Sequence, residues 1–260
     1  MIDFHTHILP NIDDGARNIE ETIELVQEAQ KVGFEAIIST SHYMEGYYET
    51  NVPEREMWIN VIYQKLQEEN LNMKLYLGNE IYLSENLVSL LEEGKACTIN
   101  DTSYVLFEMP LNIEPMNMYN VIYEMIQHKL VPVLAHPERY TFIQQEPEIV
   151  AELIEKGVLI QSNYASILGY YGKKAQVMVK KFLQSNMVHF LGSDVHRPNT
   201  IYPRIPQILT ELTKIVGEEK LEQLTTSNPK LVLKNKRIEI EEPNKIELTL
   251  KEKLIMKMSK

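Results

Sequence analysis

The chain has 260 residues, 44% hydrophobic and 24% charged, with a formal net charge of −11. That length can bury a substantial core, and the composition is that of an ordinary globular protein. The acidic balance disfavours nucleic acid as a bulk partner, because phosphate repels it.

Apolar, strand-like runs alternate with helix-like segments along the chain. The first run, Met1-Ile2-Asp3-Phe4, leads into His5 and His7. Asp13-Asp14-Gly15 follows as a tight acidic turn. A first helix is expected from Ile19 to Val32, where Asn18 and Glu21 read as a capping box and Gly33 as a stop. The second run, Ala36-Ile37-Ile38, leads to His42, then to a loop with Tyr43, Tyr47 and Tyr48 and with Trp58 just beyond. That loop reads either as surface tyrosines or as one wall of a cleft. A helix is expected over Pro53–Asn70, with Pro53 suited to a first turn.

The third run, Leu75-Tyr76-Leu77, leads to Glu80, and the fourth, Tyr104 to Phe107, to Glu108. After a helix over Asn117–Lys129, the fifth run, Val131 to Leu134, leads to His136 and Arg139. A helix over Pro147–Lys156 precedes Val158-Leu159-Ile160, which runs into Gln161-Ser162-Asn163 without a charged ligand. A helix over Lys173–Asn186 precedes Val188 to Leu191, which leads to Asp194 and His196, and a last helix spans Tyr202–Val216. The tail, residues 241–260, is rich in lysine and is expected to be solvated; an extra helix or a basic contact segment are the alternatives.

The runs are continuous, not alternating, as expected for parallel strands covered on both faces. Strands alternating with helices indicate βα units, and seven are counted. The predicted fold is therefore an α/β single domain over residues 1–240, a TIM-like barrel of seven βα units. In such a barrel the carboxyl ends of the strands converge on one face. The polar residues at those ends would meet there as a multinuclear metal site. Five of the seven histidines lie at these ends; His128 and His189 do not and read as structural. Residues two apart on a strand share a side, so His5 and His7 can grip one ion.

Only one cysteine, Cys97, is present. It allows no intrachain disulfide, which fits a reducing cytoplasm. It also lacks a nearby arginine to cradle phosphate, so it reads as a small buried residue and not a nucleophile. No signal peptide or membrane-spanning run of roughly 20 apolar residues is read in the sequence.

Together, Met1 to Pro10, Asp13-Asp14-Gly15, Gly78-Asn79-Glu80-Ile81, His136-Pro137-Glu138-Arg139 and Gly192 to His196 resemble the polymerase and histidinol phosphatase (PHP) superfamily. Within it, the chain resembles the bacterial manganese-dependent protein tyrosine phosphatases of capsule and exopolysaccharide operons. The resemblance runs from His5 to about Asn235. It implies a distorted TIM-like (β/α)7 barrel and three divalent metal ions. By position, His5, His7, Glu80 and Asp194 would hold the first, and Glu80, Glu108 and His136 the second. Asp14, His42 and His196 would hold the third. Nitrogen and oxygen donors suit manganese, with iron, zinc or magnesium also compatible. Three divalent ions against four carboxylates leave about +2, a match for a phosphate monoester dianion. A metal-activated hydroxide is the expected nucleophile, with Arg139 and then Arg197 as candidates to grip the phosphoryl oxygens.

The resemblance implies a cytoplasmic phosphatase whose partner is a phosphotyrosine protein, a membrane-associated tyrosine kinase of polysaccharide export. Rival readings are a small-molecule phosphatase such as one for histidinol phosphate, an amidohydrolase, and a non-catalytic metal-binding regulator. Tyr140, where relatives often carry a small polar residue, is expected to alter the substrate rim.

Overall fold

The computed structural model of the chain describes residues 1–257. Among the described residues, nine strand segments occupy seven strand positions. β1 (Ile2–Thr6) pairs with β2 (Ala36–Ser39), and β2 with β4 (Lys74–Leu77). Beyond a short break, β3 (His42–Tyr43) continues the line of β2, and β5 (Glu80–Tyr82) that of β4. β6 (Tyr104–Glu108), β7 (Val131–Ala135), β8 (Leu159–Asn163) and β9 (Phe190–Gly192) complete the order, every pair parallel. The sheet curls until its ends meet. Asp194 donates its N–H to the carbonyl of His5 at 2.8 Å, and His7 donates to that of Val195 at 3.1 Å. Gly192 permits this approach, since a Cβ there would lie 2.5 Å from that of His5.

The helices are α1 (Ile19–Lys31), α2 (Val52–Glu68), α3 (Leu87–Glu92), α4 (Met118–Gln127), α5 (Thr141–Gln145), α6 (Ile149–Glu155), α7 (Lys173–Gln184), α8 (Ile205–Glu222), α9 (Asn228–Val232) and α10 (Leu250–Lys257). The six helices expected from the sequence are present with shifted ends; α3, α5, α9 and α10 are additional. Asn18 caps α1 by accepting from the N–H of Glu21, but the Glu21 carboxylate accepts from the N–H of Arg17, not of Asn18. Gly33 and Gly157 end α1 and α6 with φ of 97° and 96°, values that glycine adopts without a Cβ penalty.

Alternate strand residues divide between two apolar cores. Phe4, Ile38, Leu106, Val133, Leu159 and Phe190 form the inner one, closed by Val232 and Ile238. Phe4 and Phe190 stack with ring centroids 4.1 Å apart. The opposite faces, through Ile37, Val105, Leu134, Ile160 and Leu191, pack on the helices. Both faces are covered, which accounts for the unbroken apolar runs. The segment after residue 241 is largely exposed, as expected of a solvated tail, but it touches the body of the protein and ends in a helix. Asn244 donates its N–H to the carbonyl of Ser185, Ile246 is buried, and Lys181 pairs with Glu252 of α10 at 3.0 Å. Among the described residues, no helix is long and apolar enough to cross a membrane.

Candidate metal centre

Parallel strands all end at one rim, and the nine candidate ligands stand there. Glu80, the first residue of β5, lies at the centre and is fully buried. Its Oε2 has no hydrogen-bond partner. His5 Nε2 and His42 Nδ1 lie 3.1 Å from that oxygen, and His7 Nε2 lies 3.4 Å away. His136 Nε2 is 2.9 Å from the other carboxylate oxygen. An orphaned carboxylate oxygen ringed by imidazole nitrogens, wholly out of water, fits a cation between them.

The spacing supports the same conclusion. His5 Nε2 and His7 Nε2 are 3.1 Å apart, and Asp194 Oδ1 lies 3.8 and 3.5 Å from them. Ligand atoms on a tetrahedral ion with bonds of ~2.1 Å stand about 3.4 Å apart. A second group joins His42 Nδ1 to Glu108 Oε1 at 3.0 Å, beside Glu80. A third joins Asp14 Oδ1 to His42 Nε2 at 3.5 Å and to His196 Nε2 at 3.3 Å, with His7 close by. The groups overlap through shared members. His42 faces two groups through its two nitrogens, and His136 lies against Glu80, which belongs to the Glu108 group as well. The centre grades from buried His5, His7 and Glu80 to Asp14, His42 and His196 at the mouth.

Electrostatics hold this cluster together. Burial opposes charge on His5, but the Glu80 carboxylate overrides it and lifts the imidazole to about 9. His42 rises to about 10 in the same way, against burial, through Glu80 and Glu108. His196 is raised by its bond to Asp14 despite burial. Burial works against the charge of Asp194, yet His5, His196 and Arg139 hold its carboxyl well below the ordinary range. Cations thus belong at this rim, whether protons or metals. His136 and Asp194 both sit at positive φ, 35° and 53°, a conformation that costs energy in a residue with a Cβ and concentrates at functional sites.

A supporting layer fixes the ligands. Asp13 accepts from His7 Nδ1 at 2.8 Å and from the N–H of His42 at 2.9 Å. Gln161 Oε1 lies 2.9 Å from His5 Nδ1. The amide of Gln161 reaches Asn163 Oδ1, and the amide of Asn163 donates to Asp194 Oδ2 at 2.7 Å. Gln161 and Asn163 follow Leu159 on one face of β8, which aims them at the centre. Arg55 of α2, fully buried, donates to the carbonyls of Ser41, His42 and Thr50. The sequence marks Asp13 by its neighbour Asp14 and places Gln161 and Asn163 at a strand end without a role; nothing in it signals Arg55.

The arginines differ in their employment. Arg139 donates from Nη1 to Asp194 Oδ2 at 2.7 Å and stacks 4.4 Å over the Tyr171 ring. It lines the mouth, a cavity of about 430 Å³ that also presents Asp14, Asp194 and His196. Arg197 also reaches this cavity, but its Nη1 is turned to the backbone carbonyls of Asp14, Gly15 and His196. Tyr140 is not on the rim: it is fully buried, and its hydroxyl accepts from the N–H of Met109 just past Glu108. In the aromatic loop, Tyr48 stacks on His42 and Tyr47 is exposed, while Tyr43 joins the core. Cys97 is buried with its thiol pushed up to about 11, and it donates to Asn79 Oδ1, which removes it as a nucleophile. Buried His189 is depressed to about 3 and accepts from the N–H of Ile160; His128 meets Glu92 at 3.1 Å, remote from the cluster in sequence and contacts.

The family model for capsular polysaccharide synthesis, CpsB/CapC, matches residues 1–234. The CapC protein of Staphylococcus aureus is 32% identical over 92% of this chain and 93% of its own length. The tyrosine-protein phosphatase YwqE of Bacillus subtilis is 31% identical over the same shares. A solved structure from work on YwqE and on CpsB of Streptococcus pneumoniae, described as unique metal-dependent tyrosine phosphatases, superposes with a TM-score of 0.89. It is 30% identical and covers 95% of this chain and 100% of its own. A histidinol phosphate phosphatase from Lactococcus lactis, 17% identical with a TM-score of 0.56, covers 82% of this chain and 93% of its own and shares the fold.

Proposed function

The chain belongs to the CpsB/CapC family of capsular polysaccharide synthesis, and from that premise we propose that it is a metal-dependent tyrosine-protein phosphatase. The observation that carries this reading is the buried, unpartnered Oε2 of Glu80 amid three imidazoles, beside an arginine that opens onto the mouth. The proposed ligands are His5, His7, Asp14, His42, Glu80, Glu108, His136, Asp194 and His196. They are proposed to hold three ions, manganese first, since every donor is nitrogen or oxygen. When bound, such ions supply positive charge for a phosphate dianion and acidify the water that attacks it.

The remaining work falls to the chain's own groups. Arg139, held by Asp194 and Tyr171, presents its guanidinium towards the mouth to bind phosphoryl oxygens. Arg197 is given the task of fixing the Asp14 loop to the end of β9, with the phosphate passing to Arg139. Asp13, Gln161 and Asn163 fix the tautomer and aim of His5, His7 and Asp194. A tyrosine phenolate leaves readily, because the pKa of the phenol is only ~10, so no dedicated general acid is required.

The substrate is proposed to be a phosphotyrosine protein, a membrane-associated kinase of polysaccharide export, met in the cytoplasm. The test is to assay a phosphotyrosine peptide and histidinol phosphate side by side, with His136→Ala and Asp194→Ala as controls. Preference for the peptide, lost in both variants, is expected. Preference for histidinol phosphate, or undiminished turnover by either variant, overturns the reading.

A further inference from the structure

A groove leaves the mouth of the metal centre and takes no part in the chemistry derived above. It holds about 460 Å³ and shares Arg139 and Tyr171 with the mouth. Leu111, three residues past Glu108, forms one wall, and Ile255 of α10 another. Beyond Leu111 the same loop exposes Ile113 at 70% and Met116 at 104%. Lys173 and Lys174, at the start of α7, also line the groove. In a chain of net charge −11, this groove has Arg139, Lys173 and Lys174 among its lining residues and no aspartate or glutamate. A basic, apolar-walled channel continuous with a phosphate site complements an acidic polypeptide.

We propose that this groove receives the polypeptide that flanks the phosphotyrosine and selects for acidic side chains within it. This rests on the phosphatase reading and adds the class of protein substrate. An extended chain advances ~3.3–3.6 Å per residue, so residues a few positions from the phosphotyrosine reach the lysines. Leu111 and Ile255 would take apolar side chains between them. Because Lys173 and Lys174 lie outside the metal and phosphate machinery, they would set KM for a peptide without touching the hydrolysis of a small ester.

The test compares two phosphotyrosine peptides, flanked by glutamate or by lysine, and a small aryl phosphate, using the metal-loaded enzyme and its Lys173→Glu/Lys174→Glu variant. The unaltered enzyme is expected to favour the glutamate peptide about tenfold in kcat/KM, chiefly through KM, with the preference shrinking as salt rises. The double variant should lose that preference while hydrolysing the aryl phosphate as before, which also shows that it folds. Equal turnover of the two peptides by the unaltered enzyme, or a preference that survives in the variant, overturns the inference. If the aryl phosphate is hydrolysed and neither peptide is, the tyrosine phosphatase reading itself fails, and the groove assignment with it.

Discussion

Arg139 Nη1 donates to Asp194 Oδ2 at 2.7 Å, while Asp194 Oδ1 faces His5, His7 and His196. One carboxylate thus divides its oxygens between the proposed metal position and the proposed phosphate-binding arginine. Asn163 holds the same Oδ2, so the carboxylate keeps an anchor if the arginine is removed. Arg139→Ala is expected to lower kcat/KM on a phosphotyrosine peptide by about 10²–10³-fold, as for other lost charge-stabilising donors. Metal content should be retained. Steady-state kinetics with elemental analysis of the same sample check both halves.

Gln161 acts through His5, not on substrate. Partners of this kind fix the ring of a ligating histidine, and their loss typically costs 10–100-fold in metal affinity. Gln161→Ala should therefore weaken metal binding by about that factor, and excess metal should restore its turnover. A turnover defect that no concentration of metal repairs would remove Gln161 from this role.

Arg55 satisfies three backbone carbonyls at the break between β2 and β3 and in the loop beyond. Without it, buried carbonyls are stranded at ~1–3 kcal/mol each. Arg55→Met is expected to destabilise the protein by about 2–4 kcal/mol and to lower metal occupancy by loosening His42. Denaturant melts and metal analysis decide. A variant as stable as the parent would show that water replaces the guanidinium without loss.

The raised imidazoles make a pH prediction for the metal-free protein. His5 at about 9 and His42 at about 10 stand above the ordinary ~6.5 of an unfolded histidine. Their contribution to stability is fully present below about pH 6.5 and is lost as pH rises through the folded values. The melting temperature of chelated protein should fall by at least ~3 °C between pH 6.5 and 10. Metal should offset that fall, because it takes the place of the protons and binds better as they leave. Melts at pH 6.5, 8 and 10, with and without chelator, test it; a metal-free melting temperature that rises across this window contradicts it.

Much of the site is legible in sequence because a strand buried on both faces must be apolar until it emerges at the rim. Glu108 and His136 directly follow unbroken apolar runs, and His5 and Asp194 close runs interrupted only by Asp3 and by His189. Gln161 and Asn163 stand at a strand end too, but the partners of the supporting residues are hidden, because they act across long stretches of chain. Gln161 and His5 are 156 positions apart and meet only once the barrel closes. Arg55 looks like one more charge on a helix until its carbonyl partners are known, and Tyr171 looks like a loop tyrosine until it stacks on Arg139. The tail's contacts are not marked by its lysines: Ile246 is buried and Ile255 packs against the core, while Leu250 and Leu254 of the same segment stay exposed. Tyr140 misleads by its place after Arg139, where the chain has already turned inward under Glu108.

Metal dependence is tested most directly by hydrolysis of a phosphotyrosine peptide by the full chain after chelation, followed by add-back of manganese, iron, zinc and magnesium one at a time. No turnover is expected in the chelated protein, and recovery is expected with at least one of these ions, manganese foremost. Undiminished turnover after complete chelation, or none with any ion restored and bound, contradicts it.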